Sequence, residues 1–282
     1  MENTSIVIRY DGLTAGSDHM IDMRRLGNAL VGFDRIITTG LVVIGQGRLP
    51  RRNERLPFNV VAGEPKANCV SVLAAITTGA QQSFPFAMSV FQSAAPDLLW
   101  NWVSYVFKML GGRMKEADPH FLRLMELTES IHKGDLEDRD KMRRFFLEVL
   151  DRVKPAAAAI AAPVGESSSS LSFVEPTSGQ VTTIGFPEAE AVRSKEQLEV
   201  GDMQTMKIRI DGLIKHSRRA TVVSADEPGR YLPAEVRDPA FDQTPNPYTE
   251  ALADDSEISV QATPTYRAGE LHRLYIMGIA VA

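Results

Sequence analysis

Apolar residues in the first part of the chain follow the spacing of one strand and then of one long helix. The short, mainly apolar segment over residues 5–10 predicts a β-strand that ends at the turn dipeptide Asp11-Gly12. Asp22 is a good N-cap for the helix that follows. Apolar residues then recur every three or four positions, at Leu26, Leu30, Phe33, Ile37 and Leu41. This spacing predicts an amphipathic helix that ends at about residue 44.

Four further elements are predicted up to residue 153. Residues 56–62 and 68–76 have the composition of a strand pair, and the residues between them suit a hairpin turn. Apolar residues at helical spacing then predict helices over about 118–132 and 137–153. The sequence therefore predicts an N-terminal α+β domain with a helical subdomain, covering residues 1–153.

The Trp-rich helix, predicted over residues 97–110, is apolar on nearly every side. Its polar residues form one narrow stripe, because they step by four, three and four positions: Asp97, Asn101, Ser104 and Lys108. A helix this apolar is not solvated on a monomer surface, so it is a core helix, an oligomer contact or a membrane-active segment. We predict an oligomer contact, formed by Trp100, Trp102, Val106 and Leu110.

A membrane contact through residues 84–110 is the alternative for this segment. A lone transmembrane helix needs about 20 mostly apolar residues, whereas Gln92, Asp97, Asn101 and Lys108 interrupt this one. The polar stripe would face a water-filled lumen only if several copies assembled. We therefore favour packing within or between protein chains.

The composition of the chain changes most sharply at the segment PAAAAIAAPVGESSSS, residues 155–170. Such alanine-rich and serine-rich sequence buries little apolar surface, and Pro155 argues against an extension of the preceding helix. The sequence therefore predicts an interdomain linker over residues 154–170 and a second domain over residues 171–282.

The second domain is predicted to consist mainly of β-strands. From Thr205 onward the predicted order is three strands, one short helix and two strands. This order fits a small β-barrel of the OB-like or SH3-like type. The whole chain is therefore predicted to belong to the α+β class.

Three segments of the chain resemble an uncharacterised bacterial family. They are IRYDGLTAGSDHMIDMRRLGNALVGF near the N-terminus, and VRDPAFDQTPNPYTEAL and ISVQATPTYRAGELHRLYIMGI near the C-terminus. The resemblance implies an α+β N-terminal domain followed by a five-stranded β-barrel domain. It implies no activity and no catalytic residues.

Composition and charge narrow the classes of function. The chain of 282 residues is 44% hydrophobic and carries a net charge of -5, so it has no overall attraction to nucleic acid or anionic lipid. The single cysteine, Cys69, excludes an intrachain disulfide and a zinc site with several cysteines. The first residues lack the apolar region of a secretory signal, so a cytoplasmic location is expected.

Two basic clusters are candidate contacts for an anion or a nucleic acid. One is an arginine-rich loop with Arg48, Arg51, Arg52 and Arg55, and the other is the first barrel hairpin with Lys215, Arg218 and Arg219. Arginine binds phosphate in a bidentate fork, and OB-folds bind ligands beside their first loop. Solvated surface charge explains both clusters more simply, so nucleic-acid binding is not favoured.

Asp11, His19 and Asp22 come closest to a catalytic cluster. A histidine between two carboxylates can act as a general base. However, a turn and a helix cap already explain the two aspartates, and no nucleophile lies nearby in the sequence. No spacing typical of metal ligands is present. We therefore predict no catalytic residue, no metal site, no cofactor and no enzymatic activity.

Taken together, these patterns favour a non-enzymatic bacterial binding or scaffold protein that self-associates through the Trp-rich helix. The expected partners are further copies of the chain and a second protein. One alternative is a membrane-disrupting effector released from an oligomer, for example in phage defence. The other is binding of single-stranded nucleic acid through the barrel.

Overall fold

The fold is described from a computed structural model of the chain, which divides into two units. The structure describes residues 5–11, 21–51, 54, 58–62, 70–78, 99–113, 118–131, 139–175, 178–224 and 229–280. The first unit spans Met1–Arg193 and the second spans Ser194–Ala282. The chain is of the mixed α+β class, as predicted.

The first unit contains an antiparallel sheet of five strands. They are β1 (Ser5–Asp11), β2 (Phe58–Ala62), β3 (Val70–Thr78), β4 (Ser170–Val174) and β5 (Val181–Ile184). Their order across the sheet is β2-β3-β1-β4-β5. At the centre of the sheet, Ile8 lies between Val72 of β3 and Phe173 of β4. The predicted strand at the N-terminus and the predicted pair β2–β3 are therefore confirmed.

Five helices of the first unit lie in the described residues. They are α1 (Met23–Gln46), α2 (residues 99–110), α3 (Pro119–Ile131), α4 (Arg139–Ala161) and α5 (Phe186–Arg193). The α1 helix begins at the predicted cap, where the Asp22 carboxylate accepts a hydrogen bond of 2.8 Å from the Arg25 backbone N–H. It ends at Gly47, whose φ of 61° is the left-handed conformation that glycine adopts most readily.

The core of the first unit lies between the sheet and the helices. On β1, Ile6, Ile8 and Tyr10 are buried while Arg9 is exposed, so one face of the sheet packs against protein. The Tyr10 hydroxyl donates a hydrogen bond of 2.8 Å to the Ile160 carbonyl of α4. These contacts join the first strand of the unit to the C-terminal end of α4.

Two glycines of α1 allow the neighbouring helices to approach closely. A Cβ atom at Gly32 would lie 2.6 Å from the carbonyl oxygen of Ala156 in α4. A Cβ atom at Gly40 would overlap the indole ring of Trp102 in α2. Small residues at these positions therefore determine how near α2 and α4 can lie to α1.

The α2 helix is a core helix, so the predicted oligomer contact is wrong for its buried residues. Trp102 and Val106 are 0% exposed and Trp100 is 4% exposed within a single chain. Leu110 is partly buried and packs against the same core. Side chains enclosed in this way do not reach a second copy. The homo-oligomer stays a prediction, and this helix no longer supports it.

One described helix is long and apolar enough to cross a membrane, and it is α1 rather than the Trp-rich helix. In its most apolar window, 61% of the residues are buried inside the chain. The core helix of a soluble protein meets the same criterion. Residues 84–98 of the predicted membrane contact lie outside the described residues, and residues 99–110 are in the core.

The predicted interdomain linker over residues 154–170 is wrong. The α4 helix continues through Pro155 as far as Ala161. Ala156, Ala157, Ile160 and Ala161 are buried, because small side chains let this helix pack against Gly32 of α1. Packing against a neighbouring helix thus outweighs the one backbone hydrogen bond that a proline removes.

The predicted domain boundary at residue 171 is wrong for a related reason. Strand β4 pairs with β1, with Phe173 opposite Ile8, and β5 pairs with β4. Both strands are therefore part of the first sheet. The first unit consequently ends at Arg193, forty residues beyond the predicted end at residue 153.

The second unit is a closed β-barrel. Its strands are β6 (Glu199–Val200), β7 (Gln204–Ile214), β8 (Arg219–Ser224), β9 (Tyr231–Val236), β10 (Glu257–Arg267) and β11 (Glu270–Ile279). The ring runs β7-β8-β9-β11-β10 and returns to β7, while β6 pairs with Thr265 and Tyr266 of β10, beyond the residues that pair with β7. Only β9 and β11 pair in parallel. The predicted five-stranded barrel is confirmed.

The connectivity of the barrel is that of an OB-fold. Three strands form a meander, a helix follows, and the last two strands complete the Greek key. The helix, α6 (Pro247–Ala253), contributes Tyr248 and Ala251 to the barrel core. Of the two predicted barrel types, the strand order therefore supports the OB-like one.

Candidate ligand-binding pocket

A pocket of about 580 Å³ lies beside the end of α2 in the first unit. Its lining residues come mainly from α2, α3 and the β5 region. Its lining consists of Trp100, Lys108, Arg113, His120, residues 180–184 and Glu188. Most of these residues are polar, in contrast to the apolar core that surrounds α2 on its other sides.

The polar stripe of α2 faces this pocket side of the helix. Asn101 contacts His120 of α3, Ser104 forms a hydrogen bond of 2.9 Å with Thr182 of β5, and Lys108 forms an ion pair with Asp118. The stripe predicted from the sequence therefore connects α2 to the elements that form the pocket. The remaining, apolar surface of α2 packs in the core.

Asp118 positions the first turn of α3 at the pocket. Its carboxylate accepts a hydrogen bond of 2.9 Å from the backbone N–H of His120, and its carbonyl accepts one from Leu122. A carboxylate in this position caps the helix and interacts favourably with the helix dipole. This cap fixes where His120 enters the pocket wall.

The environment of His120 favours the neutral form of its imidazole. Burial lowers its pKa, and the positive charge of Lys108 lowers it further, whereas Asp118 raises it. Its Nδ1 atom lies 2.7 Å from the Asn101 side-chain oxygen. With that oxygen as acceptor, Nδ1 carries the proton and Nε2 is a hydrogen-bond acceptor.

Two ion pairs hold the charged groups of the pocket. The Lys108 ammonium lies 3.2 Å from the Asp118 carboxylate, and the Arg113 guanidinium lies 2.7 Å from the Glu188 carboxylate. The positive charges of Lys108 and Arg113 are thus matched by the negative charges of Asp118 and Glu188. The pocket is therefore polar without a large net charge, and its donors suit an oxygen-bearing ligand better than a multiply charged one.

The indole N–H of Trp100 is buried and has no hydrogen-bond partner in the described part of the chain. In contrast, the indole N–H of Trp102 donates a hydrogen bond of 2.8 Å to the Ile36 carbonyl. A buried donor without an acceptor costs about 1–3 kcal/mol. Trp100 also lines the pocket, so its indole N–H is a buried polar group at this site that needs an explanation.

The lowered pKa of His120 predicts that acid destabilises the first unit. Because the folded state favours the neutral imidazole, stability is highest above the ordinary histidine pKa of about 6.5. It then falls as the pH drops through the lower pKa of the folded state. We expect His120→Gln to flatten this part of the curve. Urea unfolding at a series of pH values checks it, and an equal slope for both proteins would contradict the assignment.

The arginine-rich loop contains an internal ion pair. The guanidinium of Arg48 donates two hydrogen bonds, of 3.0 and 2.5 Å, to the carboxylate of Glu54. These hydrogen bonds lower the pKa of Glu54 to about 2, so the carboxylate stays charged. Arg51 is exposed, and Arg52 and Arg55 lie outside the described residues. Of the predicted anion contacts in this loop, Arg48 is thus already bound to a carboxylate.

The barrel hairpin is a poorer phosphate site than predicted, because Arg218 binds inside its own unit. Its guanidinium donates to the carbonyls of Val236 and Asp238, at 2.9 and 2.7 Å. It also pairs with Asp242 at 2.8 Å and lies over the Phe241 ring. Arg218 is thus already bound within its own unit, and its predicted contact with an anion or a nucleic acid stays a prediction.

Lys215 and Arg219 of the same hairpin are exposed. Arg219 lies opposite Glu235 in the register of β8 and β9. The second unit also contains more acidic than basic residues. The predicted contact at Lys215 and Arg219 stays a prediction that the structure neither strengthens nor opposes.

The three residues considered as a catalytic cluster are not brought together in the described structure. Asp22 caps α1, and the Asp11 carboxylate pairs with Arg9 at 2.7 Å. His19 lies outside the described residues. Among the residues that the structure describes, no group of three or more His, Cys, Asp or Glu side chains is placed to hold a metal ion.

The sequence analysis missed His120 and the role of Trp100. The signal that could have found them is the polar stripe, because polar residues on an otherwise buried helix must face polar partners. The sequence does not predict which residues these partners are. His120 is 19 residues from Asn101, and Thr182 is 78 residues from Ser104.

The protein thus consists of two units. The first is an α+β unit that contains the candidate pocket, and the second is an OB-type barrel. The chain belongs to the family of the domain of unknown function DUF7946, whose model matches residues 6–193. A family of unknown function, DUF7947, matches residues 202–280. The two matched regions follow the two structural units. No curated protein and no solved structure matches this chain.

Proposed function

We propose that this protein is a non-enzymatic binding protein whose first unit holds a small polar ligand in the pocket between α2 and β5. The ligand class is a molecule with an acceptor oxygen, such as a carboxylate or an amide. The observation that carries the proposal is the buried indole N–H of Trp100, which has no acceptor in the described part of the chain. An oxygen atom from the ligand would supply that acceptor.

The other groups of the pocket suit binding of such a ligand. The Nε2 atom of neutral His120 can accept a hydrogen bond from a ligand N–H or O–H, which distinguishes an amide or an acid from a hydrocarbon. Lys108 and Arg113 can donate further hydrogen bonds to a ligand oxygen at the edge of the pocket. Donors and an acceptor on the same wall favour a ligand that carries both kinds of group.

The described lining supports a binding role better than a catalytic one. Ser104 is the hydroxyl of α2 nearest to the pocket, but it is 0% exposed and its oxygen is hydrogen-bonded to Thr182. The Nδ1 atom of His120 is held by Asn101. No nucleophile and base are therefore paired in the described lining, which is the arrangement that covalent catalysis requires.

A calorimetric titration with a panel of small carboxylates and their matched primary amides tests the proposal. We expect at least one member to bind, and Trp100→Phe to weaken that binding about ten-fold, since one hydrogen bond contributes about 1 kcal/mol or somewhat more. His120→Gln should weaken the same ligand. His216→Gln, at an exposed histidine of the barrel, is the matched control and should leave binding unchanged.

Two results would contradict the proposal. One is the absence of binding for every member of the panel. The other is wild-type affinity in Trp100→Phe, because the ligand would then not use the indole N–H. Urea unfolding of each variant verifies that the protein compared in the titrations is folded.

The alternatives from the sequence have weaker geometric support. Binding of single-stranded nucleic acid through the barrel loses Arg218, which is bound to Val236, Asp238 and Asp242. Membrane disruption would require α2 to leave a core in which Trp102 and Val106 are fully buried. The pocket needs no such rearrangement, and we therefore favour the small polar ligand.

A further inference from the structure

The pocket lies against the edge of a sheet rather than against one of its faces. Its lining includes the consecutive residues 180–184 of the β5 region. Successive side chains of a strand point to opposite faces, so a pocket on one face would contact only every second residue. Contact with all five residues in succession places the pocket beside the strand, where the backbone is accessible.

Strand β5 is at the end of the sheet. Its sole partner among the described strands is β4. Val181 at its start is 56% exposed, so this part of the edge is open to solvent. The outward backbone groups of such an edge are complementary to the backbone of another extended chain.

The hydrogen-bond pattern identifies which backbone groups point outward. The Glu175 N–H donates to the Gln180 carbonyl, so these two residues form a hydrogen-bonded pair. The next pairs along β4 and β5 are Val174 with Val181, then Phe173 with Thr182, and so on. Since hydrogen-bonded and non-hydrogen-bonded pairs alternate in antiparallel strands, Thr182 and Ile184 bond to β4. The N–H and C=O groups of Val181 and Thr183 consequently point into the open side.

We propose that the ligand of this pocket is an extended polypeptide segment that adds to β5 as a sixth strand. This inference rests on the proposed function in that a side chain of the segment supplies the carboxylate or amide oxygen that the pocket is proposed to bind. The backbone of the segment would bond to Val181 and Thr183, as in other complexes formed by strand addition. Every second side chain of the segment would then point toward α2 and α3, where it meets Trp100, His120 and Lys108.

The facing wall sets the side-chain preference of the peptide. Trp100 and Lys108 are hydrogen-bond donors, and the carboxylates of Asp118 and Glu188 are already paired with Lys108 and Arg113. A peptide side chain with a carboxylate or an amide oxygen therefore fits this wall. A basic side chain fits less well, because the carboxylates that could receive it are already paired with Lys108 and Arg113.

The test uses the full chain and a phage-displayed library of short linear peptides. The enriched peptide is then synthesised in two forms, which define the two methylation registers. One carries N-methyl groups on the odd-numbered backbone nitrogens, and the matched control carries them on the even-numbered ones. We expect methylation in one register to weaken binding about thirty-fold or more and the control to have little effect, because two hydrogen bonds are lost only when the methylated groups face β5.

A variant of the protein tests the same contact from the other side. Thr183→Pro removes an outward N–H, which an edge strand tolerates, and it should weaken peptide binding about ten-fold. Thr183→Val changes the side chain but keeps the N–H, and it should bind within about two-fold of wild type. Urea unfolding shows whether both variants are folded, and the N-methylated peptides decide the outcome if Thr183→Pro is not.

Three outcomes would overturn the inference. They are the absence of an enriched peptide, equal binding of both methylated registers, and wild-type binding by a folded Thr183→Pro variant. If small carboxylates or amides bind with the dependence on Trp100 described above while no peptide binds, the proposed function stands and the strand addition is wrong. If neither class binds, both are wrong.

Discussion

Replacing Trp102 with alanine is expected to lower the free energy of unfolding by about 3–5 kcal/mol, the usual cost of truncating a buried aromatic residue. The side chain is 0% exposed, and its ring contacts those of Tyr105 and Phe146. Its N–H bonds to Ile36, and Gly40 leaves the space in which the ring fits. Urea unfolding measures the change.

Leu147→Ala is the matched control for this variant. Leu147 lies on α4 and is 42% exposed, so its truncation should change the stability by no more than about 0.5 kcal/mol. A Trp102→Ala protein that keeps wild-type stability would contradict the core position of α2. Light scattering on that stable protein would then show whether the residue instead joins two copies.

Arg218→Ala is expected to destabilise the barrel by roughly 2–4 kcal/mol, which is the second large effect. The guanidinium satisfies the carbonyls of Val236 and Asp238 and pairs with Asp242. Hydrogen bonds from a charged donor contribute about 1.5–3 kcal/mol each when buried. This side chain is 26% exposed, so we expect less than their sum.

Arg219→Ala provides the matched control, since it removes the same kind of side chain one residue away. Arg219 is exposed and should change stability by no more than about 0.5 kcal/mol. Thermal unfolding of the two variants compares them directly. Equal stabilities for Arg218→Ala and Arg219→Ala would show that the Arg218 contacts do not hold the barrel together.

The local elements of the fold were largely predictable from the sequence, because apolar spacing determines which face of an element is buried. The α1 helix, the strand pair β2–β3 and the barrel strands from β7 onward all follow this rule. The order of these strands also sufficed to predict a five-stranded barrel.

Two errors arose where tertiary packing reverses a local preference. The alanine-rich segment at Pro155 has the composition of a linker, but it forms a helix because its small side chains fit against Gly32 of α1. The apolar surface of α2 resembles an oligomer contact, but helices and strands from distant parts of the chain cover it. Neither effect is visible in a short window of sequence.

The candidate site was predictable only in part. The polar stripe on α2 identified Asn101, Ser104 and Lys108 as exceptions on a buried helix. Their partners come from α3 and β5, and pairing of β5 with β4 brings Thr182 to Ser104. Because such pairings depend on the whole sheet, the pocket itself could not be derived from the sequence.

The measurement that tests the pocket most directly is a ¹⁵N–¹H spectrum of the two indole N–H groups. Trp102 is an internal control, because its N–H already bonds to Ile36, whereas that of Trp100 has no acceptor in the described chain. On saturation with the best-binding carboxylate or amide, we expect the Trp100 signal to move downfield and the Trp102 signal to stay in place. An unmoved Trp100 signal under saturating ligand would contradict the account.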